Sequence, residues 1–276
     1  MEGGAMRGLF TCGIMDVLME EGIAFDGAAG ISAGAVFGVN YKSRQIGRPL
    51  RYNMTFCNDP RYCSLKSLIT TGDLYGVDFC YREIPEHLDV FDAETFARNP
   101  MEFHIGATDI KSGEIVYHKC TDGGKEDGLW MRASASMPLV SRPVEINGHL
   151  YLDGGVVDSI PYHHMKEAGF DRCLVILTQP EGFVKGPNRL IGLMKIFYKK
   201  YPKLIEAMET RHIRYNEQVH EVREDEKKGL VYVLCPETSL HIGRTEKDPA
   251  ELKRVYQEGR KIAEKHLEAI RDFLKS

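Results

Sequence analysis

One short segment constrains this chain more than any other: Phe25-Asp26-Gly27-Ala28-Ala29-Gly30, followed directly by Ile31-Ser32-Ala33-Gly34. The first part is short, small-residue and turn-bounded, which fits a buried strand. From Ser32 to about Arg44 the chain reads as a helix carrying Val36, Val39 and Ile46 inward. A strand that passes into a helix through Gly30-Ile31-Ser32-Ala33-Gly34 must turn sharply, and a G-x-S-x-G sequence supplies small neighbours that relieve the crowding around the serine. The Ser32 hydroxyl then projects at a helix N-terminus, where the helix dipole and free backbone N–H groups favour developing negative charge. The plainer alternative is a glycine-rich turn with a serine N-cap, because five-residue patterns also arise by chance.

A nucleophilic serine needs a base. Ten histidines are present, yet none sits in a motif: His163-His164 opens a helix and reads as a surface pair, and His241 lies in a polar loop. The more pointed candidate is Tyr151-Leu152-Asp153-Gly154-Gly155, an aspartate at the end of a strand followed by two glycines. Those glycines allow a sharp turn and leave room beside the carboxylate, although Asp-Gly-Gly alone is most often just a turn. A third element is Gly3-Gly4-Ala5-Met6-Arg7-Gly8, ahead of a first helix that places Phe10, Ile14, Val17 and Leu18 on one face. Successive N–H groups in such a loop make a concave donor surface suited to an oxyanion, and Arg7 anchors the loop or meets an anionic head group. A dinucleotide loop is the competing reading. Ala5 breaks G-x-G-x-x-G, and no acidic partner follows a strand about 20 residues on.

Around these motifs helices and strands alternate. Residues 101–110 and 114–120 read as a hairpin, and 143–146 with 149–152 as a second, turning at Asn147-Gly148. A helix is expected over 127–136, another opening at Pro161, and a strand over 172–178 whose apolar run is typical of coverage on both faces. After Pro180 a basic, aromatic stretch runs from Lys185 to Lys203, then a charged helix to Lys228, a strand over 230–234 and a closing helix over 249–274. The expected architecture is an α/β sheet with helices on both faces, residues 1–180 forming the main domain and 181–276 a mostly helical appendage.

Several functions lose support. The 36 basic residues stand against 40 acidic ones, without the basic excess of a nucleic-acid binder. The seven cysteines are scattered with no CxxC pair, so no metal or redox cofactor is expected and reduced thiols in a cytoplasmic protein are the preferred reading. No apolar run approaches the roughly 20 residues that span a bilayer, and no signal peptide is recognised. Contact with lipid is therefore expected to be peripheral, and Lys185–Lys203, where basic and large apolar residues interleave, is the stretch suited to it. The alternative for that stretch is a helix packed on the sheet with its lysines solvated.

In this order, the glycine-rich loop at Gly3 to Gly8, the elbow at Gly30 to Gly34 and the aspartate motif at Asp153 to Gly155 resemble those of the patatin-like phospholipases. Ala133-Ser134-Ala135-Ser136-Met137-Pro138 is also similar to a segment of that family, and the resemblance covers roughly residues 1–180. It implies a three-layer α/β/α sandwich with a mostly parallel central sheet and hydrolysis of acyl esters from lipids without a cofactor. It further implies Ser32 as nucleophile, Asp153 as base without histidine, and the Gly4 and Ala5 N–H groups as oxyanion hole. The family carries an apolar strand before the loop where this chain has only Met1-Glu2, so such a strand is expected to be encoded upstream. Two other functions remain open: a non-catalytic lipid-binding protein of the same fold, and an acyltransferase using the same serine.

Overall fold

The computed structural model describes residues 1–275. The strands are β1 (Gly27–Ile31), β2 (Glu102–Asp109), β3 (Ile115–Lys119), β4 (Val144–Ile146), β5 (His149–Asp153), β6 (Cys173–Ile176) and β7 (Val231–Leu234). The α-helices are α1 (Gly8–Glu20), α2 (Ala33–Lys42), α3 (Arg48–Phe56), α4 (Leu65–Thr71), α5 (Ala93–Arg98), α6 (Lys125–Ser134), α7 (Tyr162–Glu167), α8 (Ile191–Phe197), α9 (Pro202–Lys227) and α10 (Pro249–Lys275). A π-helical segment, Phe79–Leu88, lies between α4 and α5.

Side-chain alternation along the strands builds the layers, because successive residues face opposite sides of a sheet. Phe103, Ile105 and Ala107 of β2, with Ile176 and Leu234, join one core with α1, α2, α6 and α10. Val175, Val231 and Val233 face the other side and pack with Tyr162 of α7 and with Tyr215 and Val222 of α9. Helices thus cover both faces, as expected of three layers. The sheet itself is mixed rather than mostly parallel. β1–β2 is parallel, as is the separate two-stranded sheet β6–β7, whereas β2–β3 and β4–β5 are antiparallel because tight hairpins can join only antiparallel strands, and β2–β5 pairs antiparallel across the longer chain between them. The second hairpin turns at Asn147-Gly148, with φ of 53° and 79°, the left-handed pair that an Asn-Gly turn supplies.

Residues 1–3 lie between β1 and β6. The Met1 amino group donates to Ala29 O (2.9 Å), Glu2 N–H to Ile176 O (3.0 Å) and Gly3 N–H to Ser159 O (3.3 Å). A cavity of about 590 Å³ opens beside Met1, lined in part by Phe25, Tyr41, Phe170 and Leu174. It flanks the strands rather than the Ser32 turn, and neither Ser32 nor Asp153 lines it.

The chain from 45 to 100 forms α3, α4, the π-helical segment and α5, none of which the sequence pattern announced. Helices of 6 to 10 residues are too short to be marked by periodicity and are held by packing alone. Ile46 falls beyond α2, which closes at Lys42, and is 44% exposed instead of facing inward. Pro202 opens α9 in its first turn, where its missing N–H costs nothing. Among the described residues no helix is long and apolar enough to cross a membrane.

α1 and α10 cross in close contact. A side chain begun at Gly13 would stand 2.0 Å from Tyr256 O, and one at Gly259 would stand 2.0 Å from Phe10 O, so the two backbones touch. Tyr256 Oη closes the contact by donating to the buried Asp16 Oδ2 (2.7 Å), which also accepts the Gly47 N–H (2.9 Å). Gly13→Val must separate the helices, and overpacking of this kind costs about 1–3 kcal/mol or more. The expected result is a melting temperature lower by roughly 4 °C or more in a thermal scan; an unchanged midpoint contradicts a backbone contact.

Candidate active site

Ser32 stands between β1 and α2 with φ 55° and ψ −120°, a left-handed conformation uncommon for a residue with a side chain. Such geometry costs on the order of 1–3 kcal/mol and persists only where the surroundings enforce it. The enforcement is local. A side chain at Gly30 would meet Gly34 O at 2.1 Å, so α2 folds back directly over the end of β1. Ser32 N–H donates to Ser134 Oγ at the end of α6 (2.9 Å).

Register on β2 explains how Asp153 reaches this serine. β3 occupies one edge of β2 along residues 104–108, so β1 and β5 must share the other edge. β1 runs along it until Ile31 pairs with Gly106, and β5 runs the opposite way until Asp153 pairs with Ala107. The two strands meet end to end, and the residues leaving their C-termini are Ser32 and Asp153. Ser32 Oγ donates to Asp153 Oδ2 at 2.7 Å, and Asp153 Oδ1 accepts the Gly155 N–H at 2.7 Å. Asp153 is further pinned by its N–H to Ser136 O (2.8 Å), while its carbonyl accepts Thr108 Oγ1–H (2.9 Å). Gly154 has no room for a side chain, which would lie 2.3 Å from Gly106 O.

Burial pushes the Asp153 carboxyl above its ordinary value, opposed by the Ser32 and Gly155 hydrogen bonds and then by the charges of Arg211 and Arg244. Among the described residues no histidine hydrogen-bonds to Ser32 or Asp153. His163 is exposed and pairs with Glu167. His164 is not on the surface as expected: half-buried, it stacks on Tyr117 at 3.6 Å and shares a 2.8 Å hydrogen bond with His104. His241 is exposed.

The glycine-rich loop lies over the elbow. A side chain at Gly3 would stand 3.1 Å from Ser32 Cβ, and one at Gly4 would meet Thr178 Oγ1 at 2.7 Å. Ala5 adopts φ 49°, the left-handed conformation for which glycine is better suited. The N–H groups of Gly4 and Ala5 donate to no protein acceptor among the described residues. Met6 is buried, Arg7 Nε donates to Thr178 Oγ1 (3.4 Å), and Gly8 begins α1 against Ala33 and Phe37.

Several residues at the site had no sequence signal. Arg211, in the middle of α9, donates through Nε to Gly155 O. Tyr81, on the π-helical segment, is held above its ordinary range mainly by burial, with Asp153 among the charges facing it. Ser134 was seen only within a similar segment, and its hydroxyl holds the Ser32 N–H. As for metals, His118, Cys120 and Asp127 bring donor atoms within 4.8 Å of one another. The Asp127 oxygens are already engaged by His118 Nε2 and by the Thr121 and Gly123 N–H groups, and burial keeps the Cys120 thiol protonated. That cluster anchors the start of α6.

Residues 201–275 match a domain of unknown function (DUF6363). An uncharacterized NTE family protein of Mycobacterium tuberculosis is 26% identical over 186 residues, 67% of this chain and 49% of its own length. The uncharacterized protein YjjU of Escherichia coli is 23% identical over 94% of this chain and 73% of its length. Lysophospholipase nte1 of Emericella nidulans is 28% identical over 63% of this chain but only 11% of its own length. The chain thus spans about half the length of the mycobacterial relative it matches. Residues 1–166, which hold the loop, the elbow and the Asp153 turn, match the patatin-like phospholipases, and the chain belongs to that family.

Proposed function

We propose that this protein hydrolyses acyl esters of lipids, with Ser32 as nucleophile and Asp153 as its base. The observation that carries the reading is the 2.7 Å hydrogen bond from Ser32 Oγ to Asp153 Oδ2 on a strained strand-to-helix turn. Asp153 accepts the hydroxyl proton as Oγ attacks the ester carbonyl, and the oxyanion forms against the Gly4 and Ala5 N–H groups. The proton then passes from Asp153 to the departing alcohol, leaving an acyl-serine. Asp153, again ionised, takes a proton from water, and the resulting attack releases the fatty acid and restores Ser32. A carboxylate of ordinary pKa, about 3.9, is a weak base at neutral pH, and the burial that raises Asp153 makes it a better one. Lipid ester as substrate class agrees with the family and with the lysophospholipase among the relatives.

We also propose that substrate is met at a lipid surface. The loop 136–142 leaves the site at Ser136 and touches two short helices. Val140 O accepts the Leu74 N–H just after α4, and Leu139 N–H donates to Tyr198 Oη at the end of α8. Both helices expose apolar side chains: Ile69 is 84% exposed, Leu65 71%, Ile196 69% and Phe197 68%. Lys66, Lys199 and Lys200 are exposed nearby in sequence, whereas Lys195 is paired with Glu209 at 2.6 Å. Exposed apolar side chains interleaved in sequence with exposed lysines suit the headgroup boundary of a bilayer.

Ser32→Ala and Asp153→Asn are each expected to lower hydrolysis of a p-nitrophenyl ester at least about 10³-fold while unfolding cooperatively, with the double variant little worse, because the pair acts as a unit. Substantial activity in Asp153→Asn, or no labelling of Ser32 by a fluorophosphonate, sinks the assignment. The pH profile offers a second check. A raised Asp153 pKa leaves the acid form populated to higher pH, and only the ionised form accepts a proton. The acid limb of kcat/KM should therefore have its midpoint above about 3.9; a midpoint at or below that value contradicts Asp153 as the base. For the surface, Ile196→Glu with Phe197→Glu should weaken sedimentation with phosphatidylglycerol vesicles at least about fivefold and depress hydrolysis in vesicles more than hydrolysis of a dissolved ester. Equal vesicle binding removes α8 from this role.

A further inference from the structure

Three cations, Arg7, Lys185 and Arg211, are brought to the surroundings of Ser32 and Asp153 from separate parts of the chain, and the charge of a fourth, the exposed Arg244, acts on them. Arg7 comes from the turn after the glycine-rich loop, Lys185 from the loop after β6, Arg211 from α9, and Arg244 from the loop between β7 and α10. Arg211 lies against the Asp153 turn, with one guanidinium nitrogen 3.5 Å from where a Gly155 side chain would begin and Nε donating to Gly155 O. Lys185 Nζ sits 3.9 Å from the centre of the Tyr215 ring. Tyr215 Oη donates to Glu2 Oε1 (2.9 Å), and Glu2 directly precedes the loop that rests on Ser32. Arg7 is tied to the same place through Thr178, whose N–H donates to Glu2 Oε2 (2.5 Å).

None of these four side chains forms an ion pair among the described residues. Elsewhere the protein matches such groups: Arg48 with Asp89, Arg223 with Glu226 and Arg260 with Glu20. Burial lowers the pKa of Arg7, Lys185 and Arg211, Lys185 to about 8, and repulsion from Arg244 adds to the lowering in all three. The acids facing them are Glu2, already engaged by Tyr215 and Thr178, and Asp153, engaged by Ser32 and Gly155. Three half-buried positive charges without acidic partners of their own are costly to hold together, and an anion relieves them. A carboxylate is planar and is satisfied by one guanidinium fork. A phosphate monoester carries about −1.5 to −2 charge and three acceptor oxygens, which suits cations arriving from several directions.

We propose that Arg7, Lys185 and Arg211 form a binding site for a phosphate group beside Ser32, with Arg244 at its exposed rim, through which the C-terminal region selects the substrate. The selection of substrate rests on the hydrolase reading above; the phosphate site itself does not. Arg211 and Arg244 lie in the segment matching a domain of unknown function, so that segment supplies half of the site. The phosphate is either the headgroup of the lipid being cleaved or a free phosphate held next to it.

The test has two arms. In the first, the full chain hydrolyses a matched pair of esters, 1-oleoyl-glycerol-3-phosphate and 1-oleoyl-glycerol. The parent should favour the phosphate ester in kcat/KM, and Lys185→Gln with Arg244→Gln should reduce that ratio at least about tenfold, the scale of one lost charge-assisted hydrogen bond. Arg244 is exposed, so the single Arg244→Gln variant serves if the double one melts early. In the second arm, calorimetry measures inorganic phosphate binding to Ser32→Ala, with and without the same substitutions. A lost substrate preference assigns the phosphate to the lipid. No preference, but phosphate binding that the substitutions abolish, assigns a free phosphate and still supports the site. Equal hydrolysis of both esters together with absent or unaltered phosphate binding overturns it. If neither ester is cleaved, the hydrolase reading fails, and the calorimetry alone decides the phosphate site.

Discussion

The arrangement depends on the shared edge of β2. β1 and β5 run toward each other along that edge and end one residue apart, at the partners of Gly106 and Ala107. This shared edge brings Ser32 within a hydrogen bond of Asp153, 121 residues away in sequence, and Ser134 and Ser136 hold the backbone N–H groups of the two residues. Because the side-chain period of a strand is two, a one-residue slip of either strand would turn its entire set of side chains to the opposite face. The buried Ile31, Leu152, Ile105 and Ala107 resist such a slip, so the hydrophobic core sets the geometry of the polar pair. The cost of the left-handed Ser32 is carried by the same packing.

A second constraint acts from the far end of the chain. The contact of α1 with α10 at Gly13 and Gly259 lets the C-terminal helix lie directly on the helix that follows the glycine-rich loop. β7 pairs with β6, which is joined to β1 through Met1 and Glu2. Residues beyond 180 are therefore part of the frame around the site, and α9 delivers Arg211 to the carbonyl of Gly155. An arginine so placed stabilises an ionised Asp153, while burial acts the other way. The basicity of that carboxyl is thus a balance between the elements of residues 1–166 and a helix outside them.

The motifs were legible because each has a local physical cause. Gly30 and Gly34 flank a turn that admits no side chain at Gly30, Asn147-Gly148 adopts the left-handed pair its hairpin needs, and Gly154 packs on Gly106 O. Ala5, a departure from the glycine expected there, takes the left-handed φ nonetheless. The long helices were legible from periodicity, and the hairpins from their turns. The helices between 45 and 100 were not, because segments of under three turns carry little periodic signal and owe their form to neighbours.

Taken alone, the sequence determined the strand-to-helix turn at Ser32, the loop before α1, the turn after Asp153 and the family, since these rest on residue types and on spacing along the chain. Only the tertiary structure decided that β1 and β5 abut on one edge of a mixed sheet, that His164 is half-buried against Tyr117 and His104, and that Arg211 of α9 reaches the carbonyl of Gly155 while Tyr215 reaches Glu2. The physical reason is distance along the chain. A turn is decided by the sterics of four or five neighbouring residues, whereas side chains as far apart along the chain as Glu2 and Tyr215 meet only once the cores on both faces of the sheet have closed.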